Sequence, residues 1–200
     1  MKKVGIFGGS FDPIHFGHIA MAVSLKEAHK LDEILFIPAN VNPQKQGLPL
    51  TDATHRLNML KLALQDVPNC SIETIELNRE GPSYMIDTIK ALKKKKVHKN
   101  STFFLLFGED ILPQFTEWKE PHELCKLAKP LIARRHGVGF FGAWEEDPIL
   151  KAEIMKGITN TPLFDISATE IRKRIKEALF CGHLISKEIQ KYIQKSKLYL

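Results

Sequence analysis

Val4-Gly5-Ile6-Phe7-Gly8-Gly9-Ser10-Phe11-Asp12-Pro13-Ile14-His15-Phe16-Gly17-His18 decides how this chain is read. Its first four residues are a short apolar run, the mark of a buried strand. The glycines and Pro13 then form a turn, and from about Gly17 to Lys30 the apolar spacing becomes helical. A glycine turn lets backbone N–H groups approach an anion closely, and a helix N-terminus adds partial positive charge. His15 and His18, three apart, can donate to phosphate oxygens, more strongly when protonated. A strand, this turn and a helix start together make a phosphate-handling site.

Outward from that unit, short apolar runs alternate with helical patterns. Strands are expected at 3–8, 33–37, 71–76, 102–107 and 130–134, with a weaker one near 162–165. Helices are expected at 17–30, 52–66, 83–95, 119–127, 146–156, 168–178 and 186–195. Continuous apolar strands such as Ile34-Leu35-Phe36-Ile37 belong to a parallel sheet covered on both faces. The alternation therefore predicts an α/β, doubly wound, mainly parallel sheet with right-handed crossovers and C-terminal helices. We expect one domain over 1–200, with a small helical subregion at about 166–200. Ligands of such sheets sit at the carboxyl ends of the strands. The turn after strand 1 lies there, and so does Gly108-Glu109-Asp110 after the strand 102–107. The segment 38–51, rich in Pro, Asn, Gln and Gly, is the expected mobile loop.

Composition excludes more than it selects. With 200 residues, 44% apolar and 26% charged, the chain can build a full globular core. Its longest apolar run, Phe103–Phe107, is too short for a membrane span, and Met1-Lys2-Lys3 leads into glycines where a signal peptide needs an apolar core. Cys70, Cys125 and Cys181 are widely spaced and odd in number, which predicts reduced thiols in a cytoplasmic protein. The net charge of +6 suits anionic ligands without choosing among them. Much of it sits in Lys93–Lys96 with Lys99, read as a solvated helix end; no nucleic-acid partner is expected, because arginine clusters and interleaved aromatics are missing there.

A second constellation, Asp165-Ile166-Ser167-Ala168-Thr169-Glu170-Ile171-Arg172, places Ser167 and Glu170 in a capping-box spacing. The helix start it predicts offers hydroxyls, free N–H groups and the guanidinium of Arg172, which can grip phosphate with two bonds. By contrast, Gly137-Val138-Gly139-Phe140-Phe141-Gly142 matches a dinucleotide fingerprint only in letters. It lies late in the chain and meets Asp147-Pro148 before any helix, so it is read as a loop.

Together, Gly8–His18 and Ile166–Arg172 resemble the nucleotidyltransferase superfamily that carries H-x-G-H after strand 1 and I-S-x-T-x-x-R near the C-terminus. Within it the chain resembles bacterial nicotinate-nucleotide adenylyltransferases over essentially its whole length. His15 favours that family over the pantetheine-phosphate adenylyltransferases, which tend to carry threonine there. Pro82-Ser83-Tyr84, Asp87-Thr88, Gly108-Glu109-Asp110, Trp118 and Ala133-Arg134-Arg135 follow the family's order.

The resemblance implies a Rossmann-like nucleotidyltransferase fold and adenylyl transfer from ATP to nicotinate mononucleotide, with Mg²⁺ carried on the ATP and no metal site of the protein's own. His15, His18 and Arg172 would be catalytic. Gly8, Gly9, Ser10, Phe11, Gly108, Asp110, Ile132, Arg134, Ser167 and Thr169 would bind ATP, and Asn40, Lys45, Tyr84, Met85 and Trp118 the mononucleotide. Three positions depart from the family pattern: Gln44 stands where histidine is usual, Ala39 where asparagine is, and Met85 where threonine is. A homo-oligomer is allowed. Transfer to nicotinamide mononucleotide or phosphopantetheine, cytidylyl transfer and a non-catalytic nucleotide sensor stay open as rivals. A class I aminoacyl-tRNA synthetase fragment shares the histidine motif, but the anticodon-binding extension and the lysine-serine loop are missing.

Overall fold

A computed structural model describes residues 1–45, 50–134, 142–162 and 164–200, apart from the Lys45 side chain. Most of the glycine pattern at 137–142, Arg135, Leu163 and the middle of the 38–51 loop lie outside the described residues. Six strands form one parallel sheet in the order β3-β2-β1-β4-β5-β6. They are β1 Lys2–Gly9, β2 Glu33–Pro38, β3 Cys70–Ile72, β4 Ser101–Gly108, β5 Ala128–Arg134 and β6 Ile158–Asn160. Among the described residues, seven α-helices pack on the two faces of that sheet: α1 Phe16–His29, α2 Ala53–Leu64, α3 Met85–Lys94, α4 Pro121–Leu127, α5 Pro148–Gly157, α6 Ala168–Lys176 and α7 Lys187–Lys195. The doubly wound α/β architecture is as the sequence predicts.

The period-two alternation of each strand sorts its side chains into two cores. Val4, Ile6, Leu35, Ile37, Phe103, Leu105 and Phe107 face α3, α4 and α5. Phe7, Ile34, Phe36, Leu106 and Leu131 face α1, α2, α6 and α7. Helix starts are set by side chains that accept otherwise unpaired N–H groups. Asp52 takes Thr54 N–H at 2.8 Å, Asp147 takes those of Ile149 and Leu150, and Ser167 takes Glu170 N–H at 3.1 Å. At the end of α1, Lys30 turns left-handed and the N–H of Leu31 returns to Lys26 O. The lysine run is a solvated helix end: Lys94 and Lys96 are exposed, and Lys93 Nζ lies 5.4 Å from the centre of the Phe103 ring.

Two strand expectations need correction. The third strand stops at Ile72, because the chain from Thr74 closes successive turns on itself, with Leu77 N–H and Asn78 N–H both on Thr74 O. The sixth strand is Ile158–Asn160, paired with Ile132–Arg134, and does not lie at 162–165. Thr161 N–H still reaches Arg134 O, but Pro162 has no N–H to extend the ladder. A run of 3₁₀ turns over Glu109–Glu117, which sequence patterning leaves unassigned, carries the chain from β4 to Trp118. No helix among the described residues is long and apolar enough to cross a membrane.

Candidate active site

β1 and β4 are adjacent although α1, β2, α2, β3 and α3 separate them in sequence, so the sheet has its topological switch between them. At their carboxyl ends lies a cleft of about 470 Å³. The turn after β1 forms one wall, with Gly8, Gly9, Ser10, His15 and His18 on the lining. Phe11 is not on the lining. It holds a left-handed backbone (φ 49°), is 1% exposed, and sets its ring edge-on to His18 with centroids 5.2 Å apart, wedging the turn from below.

His15 is the N-cap of α1 and is nearly buried. Its ring stacks on His18, centroids 3.6 Å apart and planes 26° from parallel. His15 N–H donates to His18 Nδ1 at 3.3 Å, so Nδ1 keeps its lone pair and the His18 proton belongs on Nε2. A Cβ at Gly17 would lie 3.1 Å from His15 Nδ1 and 3.4 Å from Ile166 Cβ, so glycine is what lets the C-terminal motif close against the histidines.

Ser167, Thr169 and Arg172 form the second wall. The Arg172 guanidinium donates to Asp12 O at 2.7 Å and to Thr169 Oγ1 at 3.2 Å. Two motifs 160 residues apart are thereby joined at one end of the cleft. Gly108 and Asp110 continue the lining at the end of β4, and Ala133 does so on β5. Its neighbours do not: Ile132 is fully buried, and Arg134 Nε lies 3.9 Å from the buried Glu109 carboxylate.

Tyr84, Met85 and Trp118 line the far side. Tyr84 is the N-cap of α3 and offers its first turn no side-chain cap. Met85 reaches across to lie over Gly8, filling the space a side chain there would need. Trp118 packs on Phe115 at 5.3 Å, and its buried indole N–H has no partner among the described residues. Lys119 Nζ stands 4.9 Å from the centre of the Tyr84 ring and pairs with Asp87 at 2.9 Å.

The expected place of Asn40 needs correction. It is not on the lining, because its amide donates to Arg79 O at 3.2 Å and its N–H to Ser83 Oγ at 3.0 Å. From the same loop Asn42 and Gln44 do reach the lining, and Asn42 Nδ2 donates to Ser10 Oγ at 3.3 Å. The Lys45 side chain lies outside the described residues.

One group that sequence patterning misses is Glu76, 2% exposed at the cleft wall. It accepts Thr88 Oγ1–H at 2.6 Å, and Arg79 donates to Thr88 Oγ1 at 3.1 Å. Burial pushes the Glu76 carboxyl above its ordinary range, against the opposing pull of Thr88, Arg79 and Ser83. Glu76 is one of three glutamates in a turn-rich stretch without periodic signal, so only its contacts single it out.

A glycine turn and a capped helix start, both rich in free donors, at the switch point of a doubly wound sheet are the marks of an enzyme that handles nucleoside phosphates. A family model described as cytidylyltransferase-like matches residues 6–174. A nicotinate-nucleotide adenylyltransferase of Bacillus subtilis (strain 168) is 38% identical over 199 residues, covering 100% of this chain and 99% of the relative. A Plasmodium falciparum nicotinic acid mononucleotide adenylyltransferase complexed with NaAD superposes with a TM-score of 0.78 at 22% identity, over 100% of this chain and 98% of that one. The same enzyme complexed with APC gives 0.74 at 23% identity, again over 100% and 98%; both likenesses concern the fold. The chain belongs to the cytidylyltransferase-like family and, within it, to the nicotinate-nucleotide adenylyltransferases.

Proposed function

We propose that this cleft carries out adenylyl transfer from ATP to nicotinate mononucleotide, yielding nicotinate adenine dinucleotide and pyrophosphate for NAD biosynthesis. The observation that carries the assignment is the bond from Arg172 to Asp12 O, which gathers both phosphate motifs at one end of a cleft whose other end holds Tyr84 and Trp118. The mononucleotide phosphate is already an anion and attacks the α-phosphorus of ATP in line. No protein base or nucleophile is required, and catalysis reduces to positioning and charge neutralisation.

In this scheme the amides of Gly8, Gly9 and Ser10 and the hydroxyls of Ser167 and Thr169 hold the triphosphate. His15, His18 and Arg172 stabilise charge on the α-phosphate and the departing pyrophosphate. His18 acts through Nε2–H, because its Nδ1 is occupied by the His15 amide. Gly108, Asp110 and Ala133 flank the adenosine. Trp118 stacks on the pyridine ring, and the uncapped first turn of α3 offers N–H groups to its carboxylate. Lys45 and the Asn42 amide serve the acceptor phosphate.

ATP enters as its magnesium complex, with the ion on the phosphates. Among the described residues no group of three or more His, Cys, Asp or Glu side chains is spaced to hold a metal. We also assign the enzyme to the cytoplasm, supported by three cysteines that are all free thiols, and to a single domain. The test is pyrophosphate release over a panel of nicotinate mononucleotide, nicotinamide mononucleotide and phosphopantetheine with ATP or CTP. Turnover greatest with ATP and nicotinate mononucleotide is expected; preference for another pair, or none at all, overturns the assignment.

A further inference from the structure

Arg56 is 1% exposed and lies outside the cleft, yet it bonds to two residues that line it, Ser10 and Ala39, and to Thr51. Its Nη1 donates to Ser10 O at 2.8 Å and to Ala39 O at 2.8 Å, and its Nε donates to Thr51 O at 2.8 Å. Ser10 belongs to the phosphate turn. Ala39 leads directly into Asn40–Gln44, the loop that brings Asn42 and Gln44 to the cleft, and Thr51 stands just before α2.

A buried cation needs a counter-charge, and Asp12 supplies it. The Asp12 carboxylate takes Thr51 N–H at 3.2 Å on one oxygen and the Tyr199 hydroxyl at 2.6 Å on the other. Asp12 O meanwhile accepts from Arg172. Thr51 is therefore held twice, by Arg56 through its carbonyl and by Asp12 through its N–H. An apolar side chain at this position could not bind the three carbonyls that the guanidinium holds.

We infer that Arg56 is a positioning residue for the transfer, a buried staple that fixes the acceptor-side loop to the phosphate turn so that the two reacting phosphates meet in line. The inference rests on the function proposed above. Arg56 makes one bond to the ATP-side turn and two that bracket the loop, so its loss falls mainly on the acceptor. The planar fork matters, because a lysine ammonium on a flexible stem does not reproduce three directed bonds.

The experiment is steady-state kinetics of Arg56→Lys and Tyr199→Phe beside wild type, with hydrogen exchange of the ligand-free proteins. For Arg56→Lys we expect the KM for nicotinate mononucleotide to rise about tenfold and kcat to fall about tenfold, with the KM for ATP within about twofold. Tyr199→Phe, which removes one hydroxyl and leaves Arg56 intact, shifts the acceptor KM in the same direction by about threefold. Amide exchange at Asn40–Asn42 speeds up in both variants. Equal losses for both substrates, or unchanged kinetics and exchange in either folded variant, overturn the staple. If Arg56→Lys does not fold, Tyr199→Phe decides alone. A wild type inactive on every acceptor refutes the proposed function, and the exchange data then still report on whether Arg56 and Asp12 hold the loop.

Discussion

Gly17→Ala separates stability from catalysis at this site. Gly17 lies in the first turn of α1 with no left-handed backbone, so alanine meets no conformational strain there. Exchanging a helical glycine for alanine gains about 0.5–1 kcal/mol. Against that stands crowding: the new Cβ lies 3.1 Å from His15 Nδ1, 3.3 Å from His15 Cε1 and 3.4 Å from Ile166 Cβ. The imidazole must yield by a few tenths of an ångström, at a rotamer cost of about 0.5–1.5 kcal/mol. The two terms nearly cancel, so stability changes by less than about 1 kcal/mol and Tm by less than about 4 °C. Catalysis has no such compensation, because the ring that moves is stacked on His18. If a 1 Å misplacement costs about 10²-fold, this shift should lower kcat by about fivefold to tenfold. Thermal unfolding followed by circular dichroism and a pyrophosphate-release assay measure the two quantities on one sample. Wild-type kcat at wild-type stability would refute the claim that His15 must sit where it does. A stability loss above about 2 kcal/mol would show that the packing argument is wrong.

The remaining expectations are more direct. His18→Ala should fold normally and lose about 10²–10³-fold in kcat, the scale of one preorganised donor, as read by pyrophosphate release. Trp118→Ala should weaken mononucleotide binding about tenfold in calorimetry while ATP binding stays within about twofold; equal weakening sinks the stacking role. Gly157→Ala should destabilise by about 3 kcal/mol in urea unfolding, because its Cβ would run into the Pro130 carbonyl oxygen, which is main chain of β5 and cannot swing aside. His98 is held below its ordinary pKa chiefly by burial, so the unfolded chain takes its proton first as the pH falls. Stability should therefore drop between about pH 7 and pH 5, and His98→Gln should flatten that slope in denaturant titrations.

The fold was legible where periodicity and punctuation agreed. Val4–Phe7, Ile34–Ile37 and Phe103–Phe107 carry the apolar runs of a doubly covered sheet, and Ser167 marks a helix start by side-chain chemistry. Legibility failed where tertiary pairing decided the outcome. β6 exists because three residues align with Ile132–Arg134, and its end is set by the missing N–H of Pro162. The same division holds in the cleft. Residues announced by a motif, His15, His18, Ser167, Thr169 and Arg172, line one cleft, a pairing of distant segments that the family resemblance implied and linear spacing could not. Those defined by partners were not announced by any motif: Glu76 is one of three glutamates in a turn-rich stretch, Arg56 is one of two Lys/Arg cations in α2, and Asn40, expected at the acceptor, spends its amide on Arg79. Linear spacing encodes local geometry, whereas a buried hydrogen-bond network is encoded only by the fold that closes it.

The bond from Tyr199 to Asp12 spans 187 positions, and it has a consequence for synthesis. A ribosome delivers residue 199 a full 187 steps after residue 12. β1 can pair with β2 once the first 38 residues are out, but the turn between β1 and α1 keeps an incomplete scaffold until α6 and the segment beyond α7 have emerged. The glycine turn is thus translated well before the residues that complete its scaffold. The shape of that turn therefore waits on both distant partners of Asp12, Arg172 and Tyr199.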